Sequence, residues 1–303
     1  ISGQILDEKI TNVTGNFSWA GDNQTIFYTK QDPTTLRSHQ VYSHILGSDP
    51  SEDRLIYTEK DEEFTCYIQK SKSEEYLFIH CESTISSEIQ FLESKNMSGE
   101  FQLIQKRVPK LEYAADHYGE NFWIRTNHEA KNFKMVKAPI SSPQLENWED
   151  VIPHREEVLF ENFELFANFL VTEERRNGLT EIHINSWDNQ NSHQLDFGEE
   201  TYTSWISINP EFNSKTLRFG LNSLITPSST FDYDMMSREK VLLKQQEVMG
   251  GYNPENYTSQ RLWAKAADGV IVPISLVYKK SAFTQNGENP LLLYAYGSYG
   301  FSM

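Results

Sequence analysis

Cysteine is nearly absent. Cys66 and Cys81 are the only two in 303 residues, too few for a disulfide framework, and both suit small apolar positions in one strand pair. Basic residues are scarce beside acidic ones: 27 Lys and Arg stand against 43 Asp and Glu, a formal charge of −16. Phosphate recognition needs clustered Lys and Arg, so the balance argues against nucleic acid as a partner. Acidity suits ordinary solubility first and basic peptide partners second. No long apolar run is present, so no membrane-spanning helix is expected. No stretch holds a helical hydrophobic period for more than about three turns. The eight histidines are scattered, with no pair at a spacing such as H-E-x-x-H, and neither metal nor cofactor is expected. A leading methionine is also lacking, since Ile1 stands first. An amino-terminal segment is therefore expected to be missing, and a cytoplasmic setting, with the periplasm as alternative, is an expectation without a sequence signal behind it.

What is present is strand-forming. A chain that is 38% hydrophobic and 13% aromatic is too apolar for disorder, and its length allows more than one domain. Phe17 to Lys30 reads as strand, Asp22-Asn23 turn, strand. Short strands follow at His39 to Leu46 and Asp53 to Lys60, and the cycle restarts at Phe64, with Glu88 to Glu93 and Phe101 to Lys106. A third round begins near Tyr113 and includes Asn121 to Asn127, Phe133 to Ile140 and Glu149 to His154. A fourth runs from Leu159 through Phe169 to Glu174, Thr180 to Trp187 and His193 to Phe197. A fifth runs from Tyr202 through Thr216 to Leu224, Thr230 to Met235 and Val241 to Val248. Four short strands over roughly 40 to 50 residues is the period of propeller blades. Alternation in Tyr76-Leu-Phe-Ile-His80 and Glu181-Ile-His-Ile-Asn185 suits strands stacked between blades. Asn177-Gly178 is the strongest hairpin signal in the chain. Ile1 to Ile10 reads as the last strand of an earlier blade.

The pattern breaks at Gly250 to Tyr257, a linker. Beyond it, Arg261 to Ala266, an Asp268-Gly269 turn and Val270 to Tyr278 form a long hairpin, with Pro273 calling for an edge or a bulge. Asn286-Gly287 turns the chain again before Leu291 to Leu293, read as a buried parallel strand emptying into a loop of tyrosines and small residues. The expected fold is mainly β: a β-propeller over 1–250, then, over 251–303, the opening strands of an α/β-hydrolase domain.

Five segments carry a family resemblance. They are Asp53-Arg-Leu-Ile-Tyr-Thr-Glu-Lys-Asp61; Phe122 to Asn127 with Lys131-Asn-Phe133; Leu170 to Thr180; Asp268 to Tyr278; and Asn289-Pro-Leu-Leu-Leu-Tyr-Ala-Tyr-Gly-Ser-Tyr-Gly300. Together they resemble the prolyl oligopeptidase family of serine peptidases, and within it the oligopeptidase B branch. The resemblance implies a seven-bladed propeller, about five blades of which are present here, joined to an α/β-hydrolase domain. It implies that the Ser-His-Asp triad, and the acidic residues that read a basic side chain, lie beyond Met303, so that the chain alone is inactive and lacks the remainder of its own catalytic domain. Short peptides, cut after Arg or Lys, are the implied substrates; cleavage after proline is the alternative within the family, and a self-sufficient peptide-binding propeller the alternative outside it. One site position maps directly. The second tyrosine of the family's Tyr-Gly-Tyr-Gly run lends its hydroxyl to the oxyanion hole, and here that is Tyr296; Tyr299 falls near the substrate pocket. Ala295 departs from the family's glycine.

Other residues invite rival readings. Ser298 lies in Gly297-Ser-Tyr-Gly300, but Tyr296 occupies the place where a nucleophile elbow needs glycine. Trp187-Asp188 occurs once, without the recurrence of a repeat signature. Asp232, Asp234, Glu62 and Glu63 fall at strand ends and turns, where solvated charge is ordinary. The glycosylation-type triplets at Asn12, Asn16, Asn23, Asn96 and Asn256 fit chance in an Asn-rich chain.

Overall fold

The structure is a computed structural model that describes Gly3 and residues 8–297. The chain forms two compact units, Ile1–Arg155 and Glu156–Met303, and the boundary expected near residue 250 falls within the second.

The first unit holds three four-stranded sheets. β1 (Val13–Trp19), β2 (Thr25–Gln31), β3 (Ser38–Ile45) and β4 (Arg54–Thr58) form the first, in sequence order. β5 (Thr65–Lys70), β6 (Tyr76–Glu82), β7 (Ser87–Glu93) and β8 (Gln102–Gln105) form the second. β9 (Tyr113–Tyr118), β10 (Asn121–Thr126), β11 (Lys134–Pro139) and β12 (Glu149–Ile152) form the third. Each is an antiparallel meander, because every connection is too short for a crossover. The Asp22-Asn23 turn works as its residues suggest: the Asp22 carboxylate accepts from the amides of Gln24 and Thr25 at 2.9 and 2.8 Å, and Asn23 takes φ 55°.

Burial explains the stacking. Leu77, Ile79 and Cys81 on one face of β6 pack with Phe27 and Val41 of the first sheet, while Tyr76 and Phe78 on the other face pack with Phe122 and Ile124 of the third. A strand covered on both faces is buried almost continuously, and β6 has only Glu82 partly exposed. Cys66 and Cys81 are opposite one another in the β5–β6 register, both buried in that first core. Burial raises both thiols, Cys66 to about 12, so they behave as small apolar groups.

The second unit repeats the scheme. β13 (Val158–Leu165), β14 (Phe169–Arg176), β15 (Leu179–Ser186) and β16 (Ser192–Gln194) form one sheet; β17 (Thr203–Ile206), β18 (Thr216–Asn222), β19 (Ser229–Asp234) and β20 (Lys240–Gln245) form the next. Val171, Ile182 and Ile184 meet Leu217, Phe219 and Leu221 in a shared core. Along β15 burial alternates strictly, with Thr180, Ile182, Ile184 and Ser186 inward, as a period of two requires. Asn177 and Gly178 are the two loop residues between Arg176 and its partner Leu179, with φ 52° and 76°. That is the doubly positive geometry favoured in two-residue hairpins. All six residues of β20 are exposed, including Val241, Leu242 and Leu243.

Two expectations read differently in space. Glu8 to Ile10 and Gly3 belong to no strand, and the rest of the first ten residues lies outside the described ones. Leu291 to Leu293 were expected as a buried strand; they are irregular and 76 to 89% exposed. The physical reason is pairing: the only sheet described after Gly250 is two-stranded, and an apolar run with no ladder or covering layer has nothing to bury against.

Candidate functional site

β21 (Tyr257–Lys265) and β22 (Ile271–Lys279) lead toward the candidate site as an uninterrupted antiparallel hairpin, from Tyr257 opposite Lys279 to Lys265 opposite Ile271. Gly269 closes its turn at φ 89°, donating to the Ala266 carbonyl at 2.9 Å, and the Asp268 carboxylate accepts from the Val270 amide at 3.0 Å. Pro273 pairs with Trp263 without a register shift. The edge position, rather than a bulge, is what accommodates its missing N–H.

Arg261 fastens this hairpin to the propeller-like sheet of its own unit. Its Nη2 donates to the Asn177 carbonyl at 2.5 Å, its Nη1 to Ser275 Oγ at 2.8 Å, and its backbone amide to Glu200 Oε2 at 3.3 Å. Nε is buried without an acceptor, and burial lowers the guanidinium pKa. Gly178 is required beside it: a Cβ there would lie 2.8 Å from Nη2, at a φ that side chains rarely take. The Asn-Gly turn thus serves two purposes, reversing the chain and presenting a carbonyl to the hairpin.

After the hairpin, Thr284 Oγ1 and the Thr284 amide both donate to Asn289 Oδ1 at 3.0 Å, closing the loop that contains Asn286-Gly287. The chain then passes Leu291 to Leu293 and reaches Tyr296, half exposed at 49%. Tyr299 and Ser298 lie outside the described residues. A single phenol can donate one hydrogen bond and cannot by itself break a peptide bond; any nucleophile has to be supplied from elsewhere.

One grouping went unseen in the sequence. Glu174, Glu181 and His183 offer ligand atoms within 4.8 Å of one another. The Asn177-Gly178 turn sets Glu174 opposite Glu181, and His183 follows two residues on along the same face, so the turn itself was the available signal. The carboxylates already have partners: Arg176 Nε lies 3.6 Å from Glu181, and His183 Nε2 lies 3.1 Å from Glu181 and 3.8 Å from Glu174. The group reads as an ion cluster before it reads as a metal centre. In the first unit, Arg107 joins three carboxylates, Glu59 at 2.7 Å, Asp61 at 3.4 Å and Glu88 at 3.6 Å, and lies 3.5 Å over the Phe64 ring. Burial works against the Glu59 charge, yet Arg107 and the hydrogen bonds from Asp61 and Tyr57 hold its pKa below the usual carboxylate value. The largest lowering comes from Arg107, so this cluster is structural cement between sheets.

Comparison with known proteins agrees with this architecture. The N-terminal β-propeller domain of prolyl oligopeptidase matches residues 1–246. Dipeptidyl aminopeptidase BI from Pseudoxanthomonas mexicana is 38% identical over 304 residues, covering all of this chain and 42% of the relative. Protease 2 from Moraxella lacunata is 32% identical, covering 99% of this chain and 43% of the relative. Among solved structures, oligopeptidase B from Trypanosoma brucei, with covalently bound antipain in its closed form, superposes with a TM-score of 0.87 at 30% identity, over 98% of this chain and 43% of that one. Oligopeptidase B from Leishmania major gives the same TM-score at 29% identity. The chain spans less than half the length of these relatives.

Proposed function

The chain belongs to the prolyl oligopeptidase family, and on that premise we propose that it forms part of an oligopeptidase B-like serine peptidase that cuts short peptides after Arg or Lys. The observation that carries the reading is the joint likeness, in sequence and in fold, to oligopeptidase B along nearly the whole chain. In this reading the propeller limits substrate size, because a ring of blades beside an active site admits flexible peptides and excludes folded proteins. The triad, and the acidic residues that select a basic side chain, come from the part of the relatives that this chain does not span. The 303-residue chain is therefore inactive toward Arg esters and amides. Turnover by it that a serine-directed inhibitor blocks would overturn the division of labour.

Tyr296 supplies an oxyanion donor in this scheme. It follows the hairpin and apolar run at the place where α/β-hydrolases put such a donor, and its phenol would stabilise the charge that develops on the carbonyl oxygen. In the complete protein, Tyr296→Phe is expected to lower kcat by about 10²–10³-fold with little change in KM. An unchanged kcat removes Tyr296 from the mechanism.

A second reading has a specific observation behind it. The relative from Pseudoxanthomonas mexicana is called a dipeptidyl aminopeptidase, which favours release of dipeptides from a free amino end. Chromogenic peptides ending in Arg or Pro, each with a free or a blocked amino terminus, separate the possibilities. Cleavage of blocked Arg peptides supports the first reading, dependence on a free amino end supports the second, and a Pro preference defeats both.

A further inference from the structure

His44 is a buried imidazole clamped between two carboxylates contributed by distant parts of the chain. It lies near the end of β3, 1% exposed. Its Nδ1 is 2.6 Å from Asp53 Oδ1 and its Nε2 is 2.5 Å from Glu8 Oε1. Carboxylates accept and do not donate, so both ring nitrogens must carry hydrogen at once, which only the imidazolium does. Each carboxylate is held in turn. Tyr28, on β2, donates its hydroxyl to Asp53 Oδ2 at 2.7 Å, and the Gly47 amide donates to Glu8 Oε1 at 2.8 Å.

We propose that His44 is a proton-operated latch: as an imidazolium it ties the segment ahead of β1 to the β3–β4 end of the first sheet, and on losing its proton it releases Glu8. The choice of which arm lets go follows from burial. Asp53 is 3% exposed and anchored by Tyr28, whereas Glu8 is 16% exposed and sits on a segment outside any strand. A neutral imidazole keeps its Nδ1–H on Asp53 and turns a bare Nε2 lone pair toward the Glu8 oxygen. Two acceptors at that distance repel. The released proton leaves to solvent on the Glu8 side.

The surrounding charges favour the closed form. Facing the ring are Glu8 from the leading segment and Asp53 from the turn before β4, with the Tyr28 hydroxyl of β2 on the far oxygen of Asp53. Tyr42, on β3, stacks on Tyr28 at 5.8 Å, and Lys30 lies 4.3 Å over the Tyr42 ring and 5.7 Å over Tyr28. Burial opposes charge on His44, but its hydrogen bonds to Asp53 and Glu8 prevail and raise its pKa above the ordinary value. Glu8 is shifted the other way, by the Gly47 amide first and His44 second. A raised histidine stabilises fully below its unfolded value and loses that contribution as pH climbs through the folded one. The latch is therefore shut in mild acid and opens in alkali.

This inference does not depend on the peptidase reading. The test is hydrogen exchange by mass spectrometry on the full chain, following histidine C2 exchange for the His44 titration and amide exchange at Gly47, whose N–H is bonded to Glu8. In the wild type, His44 is expected to titrate above the free imidazole, and amide protection, corrected for intrinsic rates, to fall about ten-fold between about pH 6 and pH 9. Glu8→Gln keeps the core intact and is expected to lower the His44 titration and flatten the pH dependence. A native His44 titrating at or below the free value, pH-independent protection, or a Glu8→Gln profile matching wild type would each overturn the latch.

Discussion

His44 and His80 show how one residue type takes opposite charge states within a single unit. His80 faces the third sheet from β6, stacks on Tyr67 at 4.6 Å, and has no hydrogen-bond partner for either ring nitrogen. Glu82 is 4.0 Å away, too far to hold a proton in place, and burial drives His80 down to about 3. The sign is the reverse of that for His44. The unfolded chain binds the proton more readily, so folding stability declines as pH falls below about 6.5, with a limiting slope of about 1.4 kcal/mol per pH unit. His80→Phe keeps the stacking and removes the titration. Urea midpoints for the variant are expected to change less between pH 7 and pH 4 than those of the wild type; parallel curves would show that His80 is not the titrating group. Neither state was legible in the sequence, because Glu8 and Asp53 are 36 and 9 residues from His44 and reach it from segments outside the strands, where no periodic pattern places them.

Elements were far more legible than residues. The four-strand cycles, the Asp22-Asn23, Asn177-Gly178 and Asp268-Gly269 turns and the Val270 to Tyr278 strand all rest on local rules, and local rules survive into the fold. Edges were misplaced where packing overrides pattern. β1 begins at Val13, with a register irregularity between Val13 and Phe17 that spans Gly15 at φ 81°, so its alternation is broken where the strand starts. The run at Leu291 fails for a different reason: an apolar triplet states a preference for burial but not what will bury it. The Asn177-Gly178 turn is the sharpest test at this scale. Gly178→Ala is expected to cost about 1–2 kcal/mol through its left-handed φ and to push Arg261 off the Asn177 carbonyl. Gly178→Asn, which tolerates that φ better, is expected to cost less. Equal losses in chemical denaturation would mean that backbone geometry is not the source.

At the scale of the whole chain, cohesion within each unit comes from cores shared by successive sheets, joined in the first unit by the ion cluster around Arg107. Phe27, Phe122 and Phe219, each 0% exposed, stabilise by roughly 1.5–3 kcal/mol apiece. Arg107 ties the second sheet to the Glu59 region of the first. Arg107→Met leaves Glu59, 4% exposed, as a buried charge stripped of its nearest cation, and is expected to destabilise by about 3 kcal/mol. Glu59→Gln in the same background should restore part of that loss in thermal or urea unfolding; an additive further loss would contradict the pairing. Among all of these contacts the propeller was readable from periodicity, whereas the cement between sheets was not, because it joins residues that no repeat relates.

The outermost strand of the fifth sheet has a consequence for handling the protein. Among the described residues β20 pairs on one side only, with β19, and has Val241, Leu242 and Leu243 in the open, an edge that is a template for a second chain to add to. Light scattering should therefore register self-association that grows with concentration, and Leu242→Lys should suppress it while leaving the unfolding midpoint nearly unmoved. A preparation that stays monodisperse at high concentration without that change would mean the rim is already guarded by its neighbouring charges, Lys240 and Lys244.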